Sequence, residues 1–260
     1  MTGLERIAEA FASCGKRAAL MPYLMGGYPD VEGSLAIANG YADAGADLIE
    51  LGVPFSDPLA DGPIIQSAAT VALAAGSTLD AVLSVASAMS VRLPVVLMAY
   101  ANIVLARGVD PFMEDLVSAG VSGVIVPDLP IEESLLLFAS AQSAGIALIP
   151  LAAPTSTDER LAEIGSQARG FLYTVAVSGT TGERGEQSDY GEVLARVREH
   201  TDVPVALGFG ISTPEQASAA ADAGADGVIV GSRLVREALE QSEPAQACKA
   251  LVEQFAAALR

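Results

Sequence analysis

The chain has few of the side chains on which many enzyme mechanisms depend. Among its 260 residues there is one histidine, His200, and there are two lysines, Lys16 and Lys249. His200 ends a predicted helix just before a predicted strand, which favours a role at the helix C-terminus over catalysis. Both lysines lie in terminal segments, so a Schiff-base mechanism lacks its amine. The sequence therefore argues against a histidine-based triad and against an imine-forming lyase.

Cysteine is equally scarce. Cys14 and Cys248 are far apart in the sequence, and neither has a CxxC partner or a neighbouring histidine. Such a pair predicts neither a disulfide framework nor a zinc site, and no HExxH pattern is present. We expect no metal in this chain.

Positive charge is also in short supply. The chain has 14 Lys and Arg residues against 32 Asp and Glu residues, for a net charge of −18. Nucleic acids and anionic membranes bind proteins through phosphate-neutralising Lys and Arg, so neither is expected as a partner. No apolar run approaches the roughly 18 residues of a membrane-spanning helix. The first 16 residues lack the continuous apolar stretch of a secretory signal, and the predicted location is the cytoplasm.

What the chain has in abundance is apolar sequence, which makes up 51% of its residues. Eight short apolar runs are continuous rather than alternating, as expected for parallel strands covered on both faces. They span 18–24, 47–51, 94–100, 123–126, 146–151, 170–175, 203–209 and 226–231. Ala-rich helical segments separate them.

Helix boundaries can be read between these runs. Thr2 with Glu5 predicts a capping box and an additional helix before the first strand, and Ser77 and Ser212 are predicted N-caps. Four glycines are predicted helix C-caps just before strands, namely Gly45, Gly120, Gly145 and Gly224. The repeated strand–helix unit predicts an α/β fold, a single (β/α)8 TIM barrel with an extra N-terminal helix, and residues 1–260 form one predicted domain.

Two carboxylates are the strongest candidates for chemistry. Glu50 lies inside the apolar run DLIEL, where burying a charge is costly unless the group is paired, protonated or functional. Asp61 follows in the loop LADGP, where a plain Asp-Gly turn is the competing interpretation. Such a pair at a strand end can supply a general acid and a general base. Asp57 and Asp128 also lie near strand ends, and Asp57 is interpreted as part of the loop structure.

Glycine motifs after the last two predicted strands indicate a phosphate site. GFGIS (208–212) and GSR (231–233) each precede a predicted helix, whose first backbone N–H groups could bind an anion without lysine. The long segment 177–190 contains GTTGERG, which is predicted to be a lid over the substrate or else only a connection. Gly182 of this segment is a third candidate phosphate contact.

The motif LIELGVPFSDPLADGP (48–63) resembles the signature of the tryptophan synthase alpha chain family. YANIVLARG, VPDLPIEES, VSGTTG, LGFGIS and VIVGS follow in the expected order over nearly the whole chain. The resemblance implies retro-aldol cleavage of indole-3-glycerol phosphate to indole and glyceraldehyde 3-phosphate. It implies that Glu50 is the main acid and base and that Asp61 stabilises positive charge on the indole nitrogen.

Other site residues are also implied by this resemblance. Tyr173 would lie near the catalytic glutamate, and Thr181 would position the aspartate from the lid. The implied phosphate contacts are Gly182, Phe209, Gly210, Gly231 and Ser232, and the implied indole-pocket residues are Tyr23, Met98, Tyr100 and Leu151.

The resemblance further implies a partner. This is a beta subunit that carries pyridoxal phosphate and receives indole in an α2β2 complex, with Pro54 and Asp57 near the interface; the chain itself would hold no cofactor. A free-standing indole-3-glycerol-phosphate lyase is the alternative, distinguished by high turnover without a partner. Another phosphate-binding barrel, such as an isomerase or a flavin binder, and a non-catalytic scaffold are the remaining alternatives.

Overall fold

The structure, a computed structural model, describes residues 1–176 and 190–260. In these two segments nine short strands form one parallel sheet in the order β5-β4-β3-β2-β1-β9-β8-β7-β6. The strands are β1 Ala19–Met25, β2 Ile49–Gly52, β3 Val95–Met98, β4 Gly123–Ile125, β5 Ala147–Leu148, β6 Leu151–Ala152, β7 Leu172–Val175, β8 Val205–Gly208 and β9 Gly227–Val230.

The sheet closes into a barrel between β5 and β6. Two residues separate these strands along the chain, and the backbone N–H of Ile149 donates to Val124 O on one side at 3.0 Å. On the other side the N–H of Tyr173 donates to Pro150 O at 3.1 Å. The predicted fifth run, 146–151, is therefore one barrel strand in two pieces, because Pro150 has no N–H with which to continue a ladder. The predicted (β/α)8 barrel is confirmed.

Helices surround the strands and fill the described segments between them. They are α1 Gly3–Ser13, α2 Val31–Asp43, α3 Pro63–Ala74, α4 Leu79–Ser90, α5 Ala101–Arg107, α6 Val109–Ser118, α7 Leu135–Ala144, α8 Asp158–Gln167, α9 Tyr190–Arg198, α10 Pro214–Asp222, α11 Ser232–Glu240 and α12 Pro244–Ala258, with a short 3-10 helix at Ile131–Glu133. Of the described helices, none is by itself long and apolar enough to cross a membrane; α3 and α4 satisfy the criterion only as a pair, bent by 105°.

The extra helix α1 covers the N-terminal end of the barrel. Thr2 and Glu5 form the predicted capping box. Ile7 is fully buried and belongs to the inner core together with Met21 and Phe171. This end of the barrel is therefore blocked, and access to the interior lies at the opposite, C-terminal end.

The predicted helix caps lie within one residue of the observed ones. The predicted C-cap glycines Gly45, Gly120, Gly145 and Gly224 all have positive φ. The N-caps of α4 and α10 are Thr78 and Thr213, each one position after the predicted serine. In both cases the threonine has the extended backbone and its side chain accepts from the first turn.

Candidate active site

The period of the strands places Glu50 at the mouth of the barrel. Successive strand residues point to opposite faces, so the inward positions recur every second residue. Leu48, Val96 and Phe171 belong to the inner core. Two positions further along the chain from each of these, Glu50, Met98 and Tyr173 line a cavity at the C-terminal end of the barrel.

Glu50 is the one charged residue among those described that is classed as buried, with 2% of its surface exposed. Its Oε2 has no hydrogen-bond partner within residues 1–176 and 190–260. Burial, reinforced by the nearby negative charge of Asp61, raises the pKa of Glu50 to about 8. At neutral pH the group therefore holds a proton that it can donate.

Asp61 reaches the same cavity from the loop between β2 and α3. The Gln66 side chain donates to Asp61 O at 2.8 Å, and Tyr100 Oη accepts from the N–H of Ala60 at 3.1 Å. Burial raises the pKa of Asp61 to about 6, while a hydrogen bond from the Tyr100 hydroxyl opposes the rise. Asp61 is therefore ionised at neutral pH, when Glu50 is not.

Two glycines make room for tyrosine hydroxyls beside these carboxyl groups. A Cβ added at Gly52 would lie 2.0 Å from Tyr23 Oη, and one at Gly208 would lie 2.4 Å from Tyr173 Oη. Burial, and then neighbouring acidic groups that include Glu50, raise the pKa of both tyrosines. Both hydroxyls are therefore protonated donors, and the glycine of the ELG motif is required by packing.

Another part of the cavity wall, after β8 and β9, presents backbone groups. Helix α11 begins at Ser232 with Gly231 as its N-cap, and no side chain caps it. Phe209 and Gly210, which also line the cavity, have φ of 62° and 95°. A non-glycine residue with positive φ is strained by about 1–2 kcal/mol, a cost that is common at binding sites.

Helix α10 differs from the prediction for the GFGIS motif. It begins at Pro214, and the N–H groups of Ser212 and Thr213 already donate to the Gln216 side chain at 2.7 and 3.1 Å. Its start is therefore capped internally, and only Gly210 and Ile211 of that loop line the cavity beyond Phe209. The start of α11, by contrast, lines the cavity without a side-chain cap.

Comparison with known proteins matches this arrangement to a family. The model of the tryptophan synthase alpha chain family matches residues 10–260. This chain belongs to the tryptophan synthase alpha chain family. The tryptophan synthase alpha chain of Synechococcus elongatus is 49% identical over 244 residues, which cover 93% of this chain and 91% of that relative.

Solved structures agree in fold. A Mycobacterium tuberculosis tryptophan synthase chain has a TM-score of 0.91 at 41% identity, and the match covers 98% of both chains. A chain from a structure described as the tryptophan synthase a2b2 complex of Pyrococcus furiosus has a TM-score of 0.83 at 34% identity, covering 92% of this chain and 98% of that one.

Most residues that the family resemblance singled out line the one cavity. They are Tyr23, Glu50, Asp61, Met98, Tyr173, Phe209, Gly210, Gly231 and Ser232. Tyr100 does not line this cavity but contacts Asp61, and Leu151 lines a neighbouring cavity that shares Pro127 with the first. Thr181 and Gly182 lie outside the described residues.

Sequence reasoning missed several residues that line this cavity. Ile65, Pro127, Ile229 and Arg233 all face the cavity. Arg233 follows directly on Gly231 and Ser232 and pairs with Glu237 at 2.7 Å. The inward alternation of β9 could have indicated Ile229, because it precedes Gly231 by two residues. No group of three or more potential metal ligands occurs in the described part of the chain.

Proposed function

We propose that this chain is the alpha subunit of tryptophan synthase and cleaves indole-3-glycerol phosphate to indole and glyceraldehyde 3-phosphate. The observation that carries the proposal is the carboxyl pair, in which a protonated Glu50 and an ionised Asp61 share one apolar cavity. A retro-aldol cleavage needs both a proton donor and a stabiliser of positive charge.

Each proton in this reaction can be assigned to a group. Glu50 donates its proton to C3 of the indole ring, which places positive charge on the ring nitrogen, where the Asp61 carboxylate stabilises it. The bond between C3 and the glycerol side chain then breaks, and its electron pair restores the aromatic ring. The adjacent glycerol hydroxyl gives its proton to the Glu50 carboxylate and becomes the aldehyde, so Glu50 is regenerated.

The phosphate is proposed to bind at the start of α11. The first N–H groups of a helix attract anions, and those of α11 lack a side-chain cap. Gly231 and Ser232 both line the cavity there. The substrate would thus lie between this helix end and the two carboxyl groups; Thr181 and Gly182 stay proposed contacts from the family resemblance.

A beta subunit is the proposed recipient of the indole. Large apolar side chains are exposed in the segments after β2, β3 and β4, which are neighbours in the sheet. Among them are four leucines, namely Leu59 at 80%, Leu105 at 65%, Leu135 at 66% and Leu136 at 78% exposed. Exposed apolar side chains gathered on one part of a protein mark interaction surfaces. This favours the α2β2 complex over a free-standing lyase, with pyridoxal phosphate in the beta subunit, and Pro54 and Asp57 lie in the same loop as Leu59.

An indole-release assay on the full chain tests the function. We expect indole from indole-3-glycerol phosphate, with a rate that rises when a tryptophan synthase beta subunit is added. High turnover that a beta subunit leaves unchanged would support the free-standing lyase instead, and the absence of indole in both assays would refute the function.

The chain is also proposed to be one domain, so calorimetry should show a single cooperative unfolding transition.

A further inference from the structure

Asp128 lies just beyond β4 and was left without a role by the motifs. Its Oδ1 accepts a hydrogen bond from the N–H of Ala101 at 2.8 Å. Ala101 is the first residue of α5, whose N-cap Tyr100 makes no side-chain cap of its own. Asp128 therefore caps α5 from the neighbouring strand–helix loop.

Tyr100, which precedes Ala101 in the chain, forms the hydrogen bond to Asp61. The Tyr100 hydroxyl accepts from the N–H of Ala60 at 3.1 Å and donates to the Asp61 carboxylate. Its ring is 4% exposed and stacks on Phe55 with the centroids 5.3 Å apart. Stacking on Phe55 thus fixes the ring of Tyr100. Its backbone is fixed by the start of α5, because Tyr100 is the N-cap residue of that helix.

We propose that Asp128 is a positioning residue for Asp61, which acts by fixing the start of α5 and thereby the Tyr100 hydroxyl. The proposal rests on the proposed function for its kinetic consequence. A displacement of about 1 Å at a catalytic group can cost on the order of 10²-fold in rate. Asp128 acts on Asp61 only through Tyr100, so its loss is expected to lower the rate by a smaller factor of about 10-fold.

Four variants of the full chain test this chain of contacts. Asp128→Ala should lower kcat about 10-fold and leave KM within about 2-fold, because transition-state stabilisation is lost rather than uniform binding. Asp128→Asn keeps an oxygen acceptor and should restore kcat to within about 3-fold of the wild type. In a Tyr100→Phe background, Asp128→Ala should cause no further loss, because both changes break the same path.

A matched control separates this role from ordinary helix capping. Asp30 caps α2 by accepting from the N–H of Gly33 at 2.8 Å, and it does not line the cavity. Asp30→Ala should lower the melting temperature about as much as Asp128→Ala while leaving kcat unchanged. Equal kcat losses in both variants, additive losses in the double variant, or a folded Asp128→Ala chain with wild-type kcat would each overturn the proposal.

A second readout needs no activity. The titratable groups that face Asp61 are Tyr100, Glu50 and Tyr23. A carbon-13 NMR titration of the Asp61 carboxyl, assigned with Asp61→Asn, should show a raised midpoint in Asp128→Ala, because the Tyr100 hydrogen bond favours the ionised form. An unchanged midpoint would overturn the positioning role.

Absence of indole from the wild type would refute only the proposed function, and the titration would still test whether Asp128 positions Asp61. If Asp128→Ala does not fold, Asp128→Ser provides both measurements.

Discussion

At neutral pH the two carboxyl groups of the cavity differ in protonation state. Burial, together with the nearby negative charge of Asp61, raises the pKa of Glu50 to about 8. Asp61 is also buried, but the hydrogen bond from Tyr100 favours its ionised form and its pKa reaches only about 6. One strand and the loop that follows it thus supply both an acid and a carboxylate to the same cavity.

The pH dependence of the reaction should follow from these two values. The active form needs Asp61 ionised, so kcat/KM should rise as the pH passes about 6. It also needs Glu50 protonated, so kcat/KM should fall as the pH passes about 8. A bell-shaped profile of indole release is therefore expected between these values. The acid limb should disappear from the residual activity of Asp61→Asn, and a rate that keeps rising through the alkaline limb would contradict the assignment of Glu50 as the acid.

Single residues could be predicted from the sequence where the residue type did not fit the pattern of the segment around it. Glu50 could be predicted because a carboxyl group stands inside an apolar strand. Tyr100 was predicted as part of the indole pocket, yet its hydroxyl holds Asp61 and the Ala60 N–H. That contact joins residues 40 positions apart and depends on where α5 starts, which no local pattern records.

Among the elements, α11 and α10 show how similar glycine motifs lead to different helix ends. The start of α11 is uncapped and faces the cavity, whereas Gln216 satisfies the N–H groups before α10. The sequence predicted both as phosphate contacts because each follows a strand and a glycine. The difference arises from the Thr213–Gln216 capping box, whose Gln was not considered with the motif.

The start of α11 can be tested by adding charge. Gly231 has φ of −104°, and an added Cβ there would meet nothing nearer than Tyr23 Cβ at 4.0 Å. Gly231→Asp should therefore fold and raise KM at least about 10-fold, because its carboxylate repels the phosphate. Gly231→Ala is the matched control for size and should change KM by less than about 3-fold. Equal KM values in the Asp and wild-type chains would place the phosphate elsewhere.

The barrel itself was predictable because its signals are repetitive. Eight apolar runs and four predicted C-cap glycines each indicate a repeated strand–helix unit. In the structure all four glycines have positive φ. The division of the fifth strand at Pro150 was not predicted, since the apolar run continues through it. Closure depends on hydrogen bonds to two different strands, which a linear pattern cannot show.

On the scale of the whole molecule, the two ends of the barrel have different surfaces. Helix α1 fills the N-terminal end, and the cavity opens at the other. The exposed leucines lie in segments that follow β2, β3 and β4, the strands whose carboxyl ends face the cavity end. A partner bound there could receive an apolar product directly.

The proposed partner surface has a built-in control. Leu135→Ser with Leu136→Ser should reduce the stimulation by a limiting amount of beta subunit at least about 5-fold, while the unstimulated rate stays unchanged. Val91 is 85% exposed but caps the end of α4, before β3 begins. Val91→Ser should leave the stimulation as in the wild type. Titrating each variant with beta subunit makes the comparison, and full stimulation of the leucine variant would remove these residues from the interface.

Glu50 is proposed to move the protons of the reaction, and a comparison of the wild type with Glu50→Gln tests this role. Glu50→Gln replaces a buried acid with an amide of similar shape, so the substrate should still bind. Single-turnover indole release should fall at least ~10²-fold relative to the wild type, with the dissociation constant for indole-3-glycerol phosphate little changed. Near-normal release of indole by the Glu50→Gln chain would show that Glu50 does not transfer these protons.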